Sequence, residues 1–135
     1  MIKMLGSVPL FSSLNEKQLR SVALSSKERK FLAGQTIVRE GEPGAGFYLV
    51  IEGRADVRRG EKVLSKLEKG NFFGEMTLFD EQPRSADVVA TEPTRCLVFT
   101  AWGFQGMIRT YPKMAHEVMK EMARRLRQTN KSLSE

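Results

Sequence analysis

Residues 72–86 read Phe72-Phe73-Gly74-Glu75-Met76-Thr77-Leu78-Phe79-Asp80-Glu81-Gln82-Pro83-Arg84-Ser85-Ala86. Two aromatic residues end an extended run at a glycine, a short stretch of helical character follows, and a new extended run begins near Arg84. The same alternation of extended run and breaker continues on both sides. From about residue 27 to residue 100 short β-rich runs fall at 36–39, 47–52, 55–58, 63–67, 85–90 and 95–100. The breakers between them are Gly34, Gly41, Pro43, Gly44, Gly53, Gly60, Gly70 and Pro93. Many short strands at near-regular spacing, with turn residues between them, predict an antiparallel sandwich, roll or barrel.

Helical patterns flank this zone. On the N-terminal side, Asn15 followed by Gln18 fits a capping box, and Leu19, Val22 and Ala23 then form one apolar face. On the C-terminal side, Thr100 is placed to cap a short helix running toward Tyr111, which Gly103 and Gly106 weaken. Pro112 suits the first turn of another helix. That helix, residues 112–133, carries Ala115, Val118, Met119, Met122, Ala123 and Leu126 at the 3,4 spacing of an apolar seam. At about 1.5 Å per residue it reaches roughly 33 Å, longer than a small β-domain covers. Part of the seam is therefore expected to meet a second copy of the chain in a two-fold helix pair, the alternative being packing on the chain's own β-domain.

Composition bounds the function classes. A length of 135 residues with 41% apolar residues predicts one globular domain and excludes disorder and collagen-like repeats. The longest apolar run, Phe47 to Ile51, is far short of the roughly 20 residues of a membrane helix. The N-terminus has no signal-peptide apolar region, so a cytoplasmic product is expected. With one cysteine and one histidine, neither an internal disulfide nor a His-rich metal site can form. This argues against metal-dependent β-barrel enzymes, which need several His and carboxylate ligands, and against haem or iron–sulfur sensors. Cys96, between Arg95 and Leu97, reads as an inert packed thiol and His116 as a surface or seam residue. Trp102 opens the short helix and reads as a packing anchor rather than a base-stacking platform.

The net charge is +6, and six cations against three carboxylates after Pro112 account for half of it. A solvated helix face explains this better than nucleic-acid contact, because no groove-reading motif accompanies the charge. A structural dimerisation or nucleic-acid module with an empty pocket remains the alternative function, distinguishable by salt-dependent DNA binding.

The chemistry concentrates at residues 73–86. At Gly74 backbone can approach a ligand closely, and a helical turn over 75–79 would present free N–H groups to an anion. Arg84, nine residues after Glu75, can fold back over that start, and Ser85 adds a hydroxyl and an N–H. Guanidinium and backbone donors together make a phosphate clamp. Glu75 would repel phosphate, so it is placed to accept from sugar hydroxyls nearby and to pair with Arg84. A cyclic nucleotide offers a singly charged phosphate and a free ribose hydroxyl in one compact frame.

With Phe-Gly-Glu at 73–75, Leu78, and Arg84-Ser85-Ala86, the stretch resembles the phosphate-binding cassette of the cyclic nucleotide-binding domain family. Thr77 stands where that cassette more often has Ala, Gly or Ser. Glu40-Gly41-Glu42-Pro43-Gly44-Ala45-Gly46-Phe47-Tyr48-Leu49-Val50 with Glu52-Gly53 is similar to the family's two-strand glycine signature, and Val8-Pro9-Leu10-Phe11 to its opening. The run from Glu121 to Asn130 resembles the long helix of the catabolite activator (Crp/Fnr-type) branch. The resemblance implies a mainly β fold with flanking helices: an antiparallel β-roll or jelly roll (double-stranded β-helix) with an N-terminal helix and a long C-terminal helix. It divides the single domain into a helical segment at 1–26, a β-roll at 27–100 with the cassette at 72–86, and helices at 101–135.

The resemblance also implies a non-enzymatic sensor for cAMP, with cGMP the other possibility, that changes its helix arrangement on binding. The binding residues it names are Phe73, Gly74, Glu75, Met76, Thr77, Arg84, Ser85 and Ala86. Thr129 and Asn130 fall where that branch places a Thr-Ser pair against the adenine edge. Asn130 keeps both a donor and an acceptor in place of the Ser, while the plain alternative for both residues is solvent exposure. The implied partners are the cyclic nucleotide, a second copy through the last helix, and an effector protein. DNA binding is not expected of this chain alone, because the branch's helix-turn-helix segment is not in this sequence. Ser85 leaves the base choice open, and Thr129 favours cAMP.

Overall fold

The computed structural model describes residues 2–42, 46–74 and 86–134, with side chains at 2 and 128–134 excepted. Two short helical turns, α1 (Ile2–Gly6) and a 3-10 turn at Pro9–Phe11, precede α2 (Glu16–Leu24). Eight strands follow among the described residues: β1 (Lys27–Phe31), β2 (Thr36–Val38), β3 (Gly46–Glu52), β4 (Arg54–Arg59), β5 (Lys62–Glu68), β6 (Phe72–Phe73), β7 (Asp87–Ala90) and β8 (Thr94–Thr100). Helices α3 (Ala101–Thr110) and α4 (Pro112–Ser134) close the chain.

The described strands form two four-stranded sheets, ordered β1-β8-β3-β6 and β2-β7-β4-β5, and all neighbours in them run antiparallel. Strand β3 explains how they stack. It is buried at six successive positions, Gly46 to Ile51, because both of its faces are covered. Tyr48 and Val50 point toward the second sheet and join Phe31, Val38, Leu67, Val88 and Cys96 in an inter-sheet core. Phe47, Leu49 and Ile51 point the other way, into a second core built with the helices. There the Phe47 ring stacks on Phe104 of α3 with centroids 4.0 Å apart, and Phe72 lies 5.2 Å from it. Leu10, Phe11, Leu19 and Val22 from the N-terminal turns and Met114 and Val118 from α4 complete this layer.

The helix boundaries follow from capping. Asn15 accepts from the Gln18 N–H, and the Gln18 side chain accepts from the Asn15 N–H, both at 2.9 Å. Thr100 Oγ1 accepts from the Gly103 N–H at 2.9 Å and so begins α3 despite its two glycines. Strand β1 was not foreseen as a separate run, since Lys27-Glu28-Arg29-Lys30 are all exposed and show no alternation. It is an edge strand held on one side by β8, and Arg95 of β8 bonds both Glu28 of β1 and Glu52 of β3. Trp102 corrects an expectation: it is 85% exposed and anchors no packing among the described residues. Burial pushes the Cys96 thiol up to about 12, against the opposing pull of Arg29, in keeping with an inert core thiol.

Candidate functional site

Of the residues singled out by their chemistry, the structure describes Phe73 and Gly74, where the chain leaves the first sheet, and Ala86, where it enters the second. Phe72 and Phe73 of β6 pair with Leu49 and Tyr48 of β3 and part company immediately: Phe72 enters the helix-facing core and Phe73 the inter-sheet core. The Phe73 ring stacks on Tyr48 at 4.9 Å and is taken up by core packing. Gly74 then adopts φ +92°, a left-handed conformation that side chains disfavour, and the chain turns out of the strand there. Ala86, buried to 8% exposure, opens the return into β7 of the second sheet. Gly74 thus follows a strand of the first sheet, and Ala86 leads into a strand of the second. Glu75, Met76, Thr77, Arg84 and Ser85 lie outside the described residues. Thr129 and Asn130 belong to α4, with side chains outside the description.

A residue not singled out from sequence joins α4 to this junction. The Arg125 guanidinium donates from Nη2 to the Phe72 carbonyl and lies 5.1 Å from the centre of the Phe72 ring. Its Nε also donates to Glu121 Oε1 at 3.1 Å. Glu121 is shared: Arg124 Nε donates to its Oε2 at 3.0 Å, and Arg124 Nη2 donates to its Oε1. The Arg124 hydrogen bond, more than the neighbouring charges, holds the Glu121 carboxyl below the ordinary carboxylate range despite its partial burial. The sequence signal for Arg125 is its position, one turn after Glu121 and one turn before Thr129. A cation on a strand carbonyl and ring fixes the helix angle at the strand that opens the 73–86 segment. Beside this contact a groove of about 490 Å³ separates Lys69, Gly70 and Asn71 from Glu117, Lys120 and Arg124 of α4, so the helix is not sealed to the sheet along its length.

A family model described as the cyclic nucleotide-binding domain matches residues 28–111. The chain belongs to that family. It is 37% identical over 131 residues to the cyclic AMP receptor protein of Thermus thermophilus, a match covering 93% of this chain and 60% of that protein. The crystal structure of Thermus thermophilus catabolite activator protein superposes with a TM-score of 0.84 at 33% identity, over 93% of this chain and 62% of that one. The cAMP-dependent protein kinase regulatory subunit of Hypocrea atroviridis is 35% identical over 104 residues, 77% of this chain and 22% of that subunit. The chain spans between 18% and 27% of the length of the kinase regulatory subunits it matches. The β-roll expected from the cassette is the observed fold. Among the described residues no group of three or more His, Cys, Asp or Glu could hold a metal ion, and no helix is long and apolar enough to cross a membrane.

Proposed function

We propose that this cyclic nucleotide-binding domain is a cAMP-preferring sensor whose ligand sets the position of α4. Residues 1–26, 27–100 and 101–135 act as one domain, with the cassette at 72–86. Gly74 opens it, backbone donors at 75–77 and the Arg84 guanidinium hold the cyclic phosphate, and Ser85 and Ala86 line the return. Glu75 accepts from the ribose hydroxyl. Thr129 and Asn130 meet the base edge, which gives adenine the preference, and a second copy pairs along α4. The domain binds and responds; no catalytic step is assigned to it, and its effector is a separate protein.

The observation that carries this reading is the junction of α4 with β6. The helix bearing the proposed base contacts is fastened by Arg125 to the strand that leads directly into the proposed phosphate contacts. A ligand bridging the two ends of that connection has different affinities for different helix positions, which is the requirement for a population shift. The names of relatives at 35–37% identity, a cyclic AMP receptor and a cAMP-dependent kinase subunit, support the same ligand class.

Calorimetric titration of cAMP and cGMP against the wild-type chain and Arg84→Ala tests it. Wild type is expected to bind in the micromolar range, with cAMP the tighter. A charge-assisted clamp bond contributes about 1.5–3 kcal/mol, so Arg84→Ala loses at least about tenfold in affinity for both nucleotides. No heat with either nucleotide, or an unaltered Arg84→Ala isotherm, overturns the proposal and leaves the ligand-free structural module.

A further inference from the structure

A carboxylate outside the cassette ties the turn between β2 and β3 to the strand that follows the cassette. The turn is Arg39-Glu40-Gly41-Glu42: the Glu42 N–H donates to the Arg39 carbonyl at 3.2 Å, and Gly41 holds the third position at φ +86°. This closes the turn without using the N–H of Glu40 at its second position. Asp87 Oδ1 accepts that N–H at 2.6 Å, across 47 residues of sequence.

Asp87 is the first residue of β7, three positions beyond Arg84 and adjacent to buried Ala86. On one side, β7 is held by β4 through to the Arg58/Asp87 pair. On the other side its ladder with β2 ends at Val38 and Val88, after an irregular step from the Thr36/Val89 pair. The Asp87 side chain takes over where that backbone pairing stops. Ala55 with Ala90 and Val57 with Val88 face the core, so Asp87 and its ladder neighbour Arg58 share the opposite face of the sheet. Arg58 is 3.4 Å from Asp56, and its Nε is buried without a hydrogen-bond partner among the described residues, so a cation stands across the ladder from the carboxylate that caps the turn.

We propose that Asp87 is a positioning residue for nucleotide binding: by capping the 39–42 turn it fixes the head of β7, and through it the direction from which Arg84 approaches the ligand. This rests on Arg84 gripping the cyclic phosphate. The bond is charge-assisted and reaches a backbone N–H, so it places backbone rather than a mobile side chain. Because the phosphate is common to both nucleotides, loss of the cap weakens both by the same factor.

Asp87→Ala and Asp87→Asn are titrated with cAMP and cGMP, and exchange of the Glu40 amide proton is followed in each. Asp87→Ala is expected to weaken both nucleotides by about threefold to tenfold. Glu40 exchange speeds up alongside. Asn keeps the Oδ1 acceptor and restores affinity to within about twofold of wild type, with Glu40 again protected. Gly41→Ala strains the same turn from its other side and is expected to reproduce the Ala result if Asp87→Ala does not fold. Wild-type affinity in Asp87→Ala despite an unprotected Glu40 overturns the positioning role and leaves the Arg84 reading standing. Equal loss in Ala and Asn also overturns it. Absence of binding by wild type sinks the Arg84 reading, and the inference with it.

Discussion

Along α4, Met114 and Val118 are sealed against the helix-facing core at 0% and 2% exposure, while Met119 and Leu126 on the same helix are each 61% exposed. Both sets obey the same helical spacing. What separates them is position on the helix surface relative to β3, β6 and the N-terminal turns. Met114 and Val118 face Phe104 and Leu10, whereas Met119 and Leu126 face away, with Ala123 also exposed and Met122 half-buried at the edge. Further along α4, Arg125 exchanges apolar anchoring for a hydrogen bond to the Phe72 carbonyl. One face of the helix is thus fastened to its own domain, and a second apolar stripe is presented outward. The contrast teaches that amphipathic period alone does not say which surface an apolar position meets.

The contrast can be broken most severely from the anchored side. Met114→Ala removes a fully buried side chain from a packed layer and is expected to cost about 2–5 kcal/mol in denaturant unfolding. A loss below about 1 kcal/mol would mean α4 does not close the helix-facing core. On the outward side the expected result is opposite in kind. The double variant Met119→Glu, Leu126→Glu should change unfolding by no more than about 0.5 kcal/mol per site while abolishing self-association in sedimentation. Unchanged association would remove the proposed helix pair.

The Arg124–Glu121–Arg125 contact sharpens the boundary through pH. Since the Glu121 carboxyl is held below its ordinary value of 4.5, its contribution is fully present above that pH and disappears as the pH falls through the lowered value. Acid unfolding of Glu121→Gln should show a shallower decline than wild type below pH 4.5, and parallel curves would place the lowered carboxyl elsewhere. The smallest effect is expected at the far end of the helix. Thr129→Ala should weaken cAMP by a few-fold, about 1 kcal/mol or less, and cGMP by less than that. Equal losses for the two nucleotides would detach α4 from base selection.

Much of the architecture was legible because the β zone is written in short-range terms. Gly34, Gly41, Gly53, Gly60 and Gly70 in their turns, the Asn15–Gln18 box and the Thr100 cap act within a few residues of themselves, and each of these appears where it was expected. Strand β1 was not legible: it exists through its ladder with β8, whose Arg95 also bonds Glu28 across 67 positions of sequence. Trp102 was misread for the same reason, as the periodicity of a short helix does not fix which side meets the sheet. In the candidate site, Gly74 and Ala86 follow from local chemistry, but Arg125 and Asp87 gain their roles from partners on other elements, Phe72 and Glu40.

The amino-acid order alone determined a zone of short antiparallel strands with flanking helices, because strand period, turn residues and helix caps are local preferences summed along the chain. The tertiary structure alone decided that Phe72 and Phe73 enter different cores, that α4 is anchored along one face and bare along another, and that Arg125 and Asp87 reach the backbone of distant segments. Those outcomes depend on which surfaces meet in space, and burial and hydrogen bonding take their values only after the sheets and helices have packed.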